Sequence, residues 1–110
     1  MHKTSIIILT YNNLEYTKGC LESIQKYTEE GTYELIIIDS HSTDQTVEWL
    51  KKQKNLKVIY NEENLGFPKG CNQGIELASK ENDILLLNND TIVTANWLKN
   101  LQTCLYSDAS

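Results

Sequence analysis

The sequence predicts an α/β fold: an open, mainly parallel sheet of about four strands flanked by helices. Three observations carry this. Short apolar runs recur at 6–9, 35–38, 58–60 and 84–87, continuous rather than alternating, as in strands covered on both faces of a parallel sheet. Stretches with apolar residues at helical spacing separate them, so strand and helix alternate and the connections are right-handed crossovers. The 110 residues, 40% hydrophobic and 23% charged with one Pro, form one ordinary globular domain over 1–110.

The elements follow in order. Ile6, Ile7, Ile8 and Leu9 make the first strand. Leu14, Thr17, Leu21, Ile24 and Thr28 or Tyr27 mark a first helix that Gly31 ends. After the strand at 35–38, Ser42-Thr43-Asp44-Gln45 reads as a capping box opening a second helix through Val47 and Leu50. Pro68, at a first-turn position, opens a third helix with Cys71, Ile75 and Ala78 on one face. Thr94 or Asn96 caps a fourth through Trp97, Leu98, Leu101 and Leu105. The last strand lacks a later partner. Its bare edge invites pairing with a second copy, and the chain reads as one part of a longer protein.

In a parallel sheet all strand C-termini lie on one edge, and ligands bind in the crevice there. That edge collects Thr10-Tyr11-Asn12-Asn13, Asp39-Ser40-His41-Ser42-Thr43-Asp44, Asn61 through Gly66, and Asn88-Asn89-Asp90-Thr91. Asp83 precedes its strand and belongs at the opposite edge as a turn residue. Asp39 can accept hydrogen bonds from a base or ribose, or it can satisfy N–H groups at the start of the second helix. Asp44 suits the second role, favoured by the helix dipole. Asn88, Asn89 and Asp90 offer one carboxylate and two amide oxygens, a set that suits Mg²⁺ or Mn²⁺ completed by substrate phosphates, or a plain Asn/Asp turn. Gly66, Gly70 and Gly74 let the third helix lie close to the sheet or to a ligand; the pattern is neither a P-loop nor GxGxxG.

Composition excludes several classes. Net charge is −5, all ten basic residues are Lys, and no Lys-rich stripe exists, so the footprint of a nucleic-acid binder is missing. With no Arg fork, an anion must be held by a cation, backbone N–H groups or single lysines. Cys20, Cys71 and Cys104 are odd in number and widely spaced, hence small hydrophobes in a reducing compartment. No apolar run is long enough for a signal-peptide core or a membrane span, which points to the cytoplasm or to the inner face of a membrane. His41 reads as a solvated loop residue, and the tryptophans as core and rim. An acidic pair for a phospho-receiver, a Gly-rich basic loop for a nucleotidyltransferase and a Ser-His-Asp set are all lacking.

Four blocks, in order and over nearly the whole chain, resemble glycosyltransferase family 2, inverting enzymes of the GT-A fold with a Rossmann-like nucleotide-binding half. They are Ser5-Ile6-Ile7-Ile8-Leu9-Thr10-Tyr11-Asn12; Glu34-Leu35-Ile36-Ile37-Ile38-Asp39 with Ser42-Thr43-Asp44-Gln45-Thr46; Asn61 with Asn64-Leu65-Gly66-Phe67 and Asn72-Gln73-Gly74-Ile75; and Leu86-Leu87-Asn88-Asn89-Asp90-Thr91. The resemblance implies that Thr10, Tyr11 and Asn12 line the nucleotide, that Asp39 bonds its base, and that the stretch 66–72, with Gly66, Phe67, Lys69 and Asn72, passes close to it together with Asn89. Asn88-Asn89-Asp90 stands at the DXD position, so Asp90 with Asn88 would hold Mn²⁺ or Mg²⁺ against the donor diphosphate. The first DXD acid is Asn here, and Ser40-His41 replaces the commoner residues before Ser-Thr-Asp. The implied donor is a UDP-sugar, or a dTDP- or GDP-sugar, and the acceptor a sugar or lipid-linked sugar in surface-polysaccharide or glycolipid assembly. The family's general base follows the DXD region; Asp108 in the tail is no convincing candidate, and the catalytic residue stays unassigned. The competing expectation is a non-catalytic nucleotide-binding or interaction module of the same fold.

Overall fold

A computed structural model describes residues 3–95, 97 and 98. Seven elements follow in the order β1 (Thr4–Thr10), α1 (Leu14–Tyr27), β2 (Tyr33–Asp39), α2 (Thr46–Lys51), β3 (Leu56–Tyr60), α3 (Phe67–Leu77) and β4 (Asp83–Asn88). The strands form one all-parallel sheet in the order β3-β2-β1-β4. The chain thus builds outward from β1 through β2 to β3, then α3 crosses back so that β4 pairs with the other side of β1. The strand order reverses between β1 and β4, the position beside which open α/β sheets take their ligands.

Burial explains both the runs and their limits. On one face Ile6, Ile8, Leu35 and Ile37 pack with Cys20, Leu21 and Ile24 of α1 and Leu50 of α2. On the other, Ile7, Ile36 and Ile38 form a smaller cluster under α3 with Ala78. Central β1 and β2 are buried on both faces, as continuous apolar runs require. Edge strands β3 and β4 are not. α3 lies mainly over β1 and β2, and Ile84 and Leu86 of β4 stay 42% exposed.

Several local expectations shift. α1 ends at Tyr27, and Gly31, at φ +89°, serves the turn beyond it. The capping box does not form: α2 starts at Thr46, and its N-cap Gln45 makes no side-chain cap bond. Ser42 is engaged elsewhere, as described below. On α3 the buried face is Gly70, Cys71 and Gly74, while Ile75 is exposed. A Cβ on Gly74 would stand 2.6 Å from Ile7 Cγ2, and one on Gly70 2.7 Å from Leu9 Cδ2, so these two glycines seat the helix on the sheet. Asp83 is the first residue of β4 rather than a turn residue. After β4 the chain folds back over α1: Val93 N–H donates to Ser23 Oγ (3.1 Å) and Trp97 Nε1 to Thr28 Oγ1 (2.7 Å). The expected fourth helix through Leu101 and Leu105, Cys104 and Asp108 fall outside the described residues. Cys20 and Cys71 are buried free thiols. Burial, with the Asp90 charge behind it, pushes the Cys20 thiol up to about 11 and keeps it protonated.

Candidate functional site

Strand register brings the polar residues into line. Thr10 is paired with Asp39, Asp39 with Tyr60 and Leu9 with Asn88, so four strand ends deliver their following residues to one edge. The ladder continues one step past the strands, with Ser40 N–H donating to Thr10 O and Asn61 N–H to Asp39 O, both at 2.9 Å.

The loops after β1 and β2 are cross-tied. Asp39 is 1% exposed, and its carboxylate accepts from Ser42 N–H (3.0 Å) and Ser42 Oγ–H (2.5 Å). Asn12 N–H in turn donates to Ser42 Oγ at 2.8 Å. The Asn12 side-chain oxygen accepts from Thr43 N–H (2.7 Å) and Asp44 N–H (3.3 Å). Asp44 reaches back: burial opposes its ionisation, but the N–H groups of Thr46 (2.9 Å), Leu14 and Asp44 itself outweigh that and hold its carboxyl below the usual range. One acid therefore serves the starts of both α1 and α2. Asn12, Asn13 and His41 carry left-handed backbone at φ +55°, +56° and +70°, a conformation disfavoured for residues with a Cβ and tolerated best by Asn.

Between the ends of β1 and β4, Thr17 of α1 is the link. Its buried hydroxyl lies 2.9 Å from Thr10 Oγ1 and accepts from Asn89 Nδ2 at 3.4 Å. Thr10 and Asn89 thus turn their side chains inward, whereas Tyr11, Asn88 and Asp90 are exposed. The outward pair supplies a carboxylate and an amide carbonyl, hard oxygen donors of the kind Mg²⁺ and Mn²⁺ prefer. Among the described residues no group of three or more His, Cys, Asp and Glu gathers, so an ion here would depend on ligand phosphates for the rest of its shell. The residues fit a cation of that kind.

The third component is the start of α3. Asn64 Oδ1 accepts from Gly66 N–H (3.0 Å), Gly66 has φ +84°, and nothing stands within 4 Å of where its Cβ would be. Phe67, Lys69 and Asn72 are exposed on the first turns. Asn61 and Gln73 exchange two amide hydrogen bonds at 2.8 and 2.9 Å, locking the end of β3 to α3.

Sequence reading placed Ser42 and Asn61 at this edge without their roles, and missed Thr17 and the Asn61–Gln73 pairing. The Asp39-x-x-Ser42 spacing carried a usable signal, since a side-chain acceptor commonly bonds groups two or three residues on; the other two depend on tertiary contact. A cavity of about 470 Å³ at this edge is lined by Asn13, Leu14, Tyr16 and Asp44. Another of about 610 Å³ opens at the opposite edge beside Tyr33, Glu34 and Lys54, where no strand delivers its C-terminal residue.

Comparison with known proteins follows the same lines. The model of glycosyl transferase family 2 matches residues 5–108. The chain is 34% identical over 104 residues to the poly(ribitol-phosphate) β-N-acetylglucosaminyltransferase TarS of Staphylococcus aureus, covering 90% of this chain and 18% of TarS. It is 34% identical over 108 residues to TarP of the same species, covering 92% and 32%. The crystal structure of S. aureus TarS 1–349 in complex with UDP-GlcNAc superposes with a TM-score of 0.82 at 31% identity, over 96% of this chain and 31% of that one. The fold alone is shared with the mannosyltransferase PcManGT of Pyrobaculum calidifontis, solved with GDP-Man and Mn²⁺, at TM-score 0.76 and 19% identity, over 98% of this chain and 32% of that one. The chain spans between 18% and 32% of the length of the relatives named here.

Proposed function

The chain belongs to glycosyl transferase family 2, and from that premise we propose that it is the donor-binding part of an inverting glycosyltransferase. Its ligand would be a nucleoside-diphosphate sugar, a UDP-sugar ahead of dTDP- or GDP-sugars, since the structural relative at 31% identity was solved with UDP-GlcNAc. The observation that carries the proposal is the convergence on one sheet edge of the Asp39–Ser42–Asn12 network, the α3 start and the outward Asn88 and Asp90.

Each component has a task. The base and ribose lie along the loops after β1 and β2. Asp39 can still accept there, because each carboxylate oxygen has a second lone pair. Tyr11 offers an exposed ring for stacking. The diphosphate approaches the start of α3, whose first turn contains Lys69 and no acid. Asp90 and Asn88 would hold Mn²⁺ or Mg²⁺; such an ion neutralises charge on the departing nucleoside diphosphate. The acceptor, a sugar or lipid-linked sugar of surface polysaccharide or glycolipid, and the base that deprotonates it belong to a longer protein at the cytoplasmic face of a membrane. Among the described residues no strand pairs with the outer edge of β4, and that edge with the exposed Ile84 and Leu86 supports self-association of the isolated chain.

Amide-resolved NMR tests the assignment. Adding UDP with Mg²⁺ is expected to move resonances at 10–12, 39–44, 66–72 and 88–90 and to leave those of Glu34, Ser79 and Asn82 at the opposite edge still. Movement confined to the opposite edge would refute it.

A further inference from the structure

We infer that Asn12 is a positioning residue of the donor site, acting on the nucleotide through the 41–44 loop and Asp39 rather than by touching the ligand. This rests on the donor-site reading above and deepens it.

The side-chain oxygen of Asn12 is already committed. It accepts from the N–H groups of Thr43 (2.7 Å) and Asp44 (3.3 Å), with the Thr43 hydroxyl at 3.5 Å. The backbone N–H of the same residue donates to Ser42 Oγ, whose proton goes to Asp39. One residue thus holds three consecutive residues of the neighbouring loop. Ser42 is oriented as a relay: with its oxygen accepting from Asn12, its hydroxyl hydrogen is left for the carboxylate, and its own N–H bonds the other carboxylate oxygen at 3.0 Å.

The backbone supports the same conclusion. Left-handed conformation at Asn12, Asn13 and His41 costs on the order of 1 kcal/mol or more per residue. Unfavourable geometry on both sides of one contact persists only where the cross-ties outweigh it. Asp44 returns the tie to Leu14 N–H, so the two loops close on each other from both directions. Releasing the Asn12 side chain frees Thr43 and Asp44, and with them the loop that carries Ser42, so buried Asp39, whose carboxylate accepts from Ser42, loses its fixed orientation. A preorganised acceptor binds a base edge more tightly than one that must be ordered on binding.

The test is a double-mutant cycle on UDP affinity, with Mg²⁺ present and the melting temperature recorded for every variant. Asn12→Gly removes the side-chain ties while accepting the left-handed backbone; Ser42→Ala removes the relay. Each is expected to weaken UDP binding about tenfold, the scale of one lost hydrogen bond to a charged group. If both act through Asp39, the double variant stays near the weaker single variant instead of falling about a hundredfold. Additive losses would overturn the inference in favour of direct contact by Asn12, and unchanged affinity with a lowered melting temperature would reduce it to a structural tie. Failure of the unmodified chain to bind UDP or any other nucleoside diphosphate would remove the donor site itself and the inference with it.

Discussion

Strand β2 carries a carboxylate at each end, Glu34 at its start and Asp39 at its finish, and the two ends are built on opposite plans. Glu34 accepts from Lys57 Nζ (2.8 Å), Ser5 Oγ (2.5 Å), Ser79 N–H (3.0 Å) and Asn82 Nδ2 (3.0 Å). Burial opposes its ionisation, but the bonds from Lys57, Ser5 and Ser79 together with the Lys57 charge outweigh it and hold its pKa at about 2, against an ordinary 4.5. That cluster ties β1, β2, β3 and the turn before β4 with a cation inside it. Asp39 is more deeply buried, belongs to neither ion pair found among the described residues, and sits among left-handed residues. A saturated, charge-balanced cluster reads as a staple. A buried acid held without a cation by a costly loop reads as a site.

Breaking the staple is expected to have the largest effect. Glu34→Ala should cost about 3 kcal/mol of unfolding free energy, because it removes the one acceptor shared by Lys57, Ser5, Ser79 and Asn82, and should leave nucleotide affinity unchanged; chemical denaturation and a UDP titration measure both. Gly74→Ala should cost about 2 kcal/mol, since its Cβ would overlap Ile7 and push α3 off the sheet. Because α3 also forms the donor edge, this variant should lose affinity as well, which separates it from Glu34→Ala.

Acid sharpens the contrast. Glu34 has a folded-state pKa below its unfolded value, so its contribution is fully present above about 4.5 and is lost as pH falls toward about 2. Stability should decline through that window, and Glu34→Gln should flatten the decline. At the other end, Asp39→Ala is expected to weaken nucleotide binding about tenfold with or without metal. Asp90→Ala should remove only the increment that Mn²⁺ adds. Equal, metal-independent losses in calorimetry would contradict both assignments.

The strands and their order of appearance were legible because a fully buried parallel strand must be apolar throughout. So were the site's ingredients, since a parallel sheet sends every strand end to the same edge. Roles were less legible. Thr10 and Asn89 fall at the expected places, yet both are tied to Thr17, a bond that depends on how α1 packs against β1 and β4. Ser42 looked like part of a helix cap because its spacing to Gln45 fits one; the pull of Asp39 three residues before it won instead. Ile75 fits an apolar helical stripe, but Gly70 and Gly74 seat α3 through its glycine face and leave Ile75 outside.

The most direct measurement is calorimetric titration of UDP, GDP and dTDP into the folded chain, once with Mn²⁺ and once with EDTA. A donor site at this edge predicts that UDP binds, more tightly with Mn²⁺, and that UDP at 100 times its dissociation constant stabilises the fold by about 2.7 kcal/mol. A folded chain that binds none of the three, with or without the metal, would contradict it.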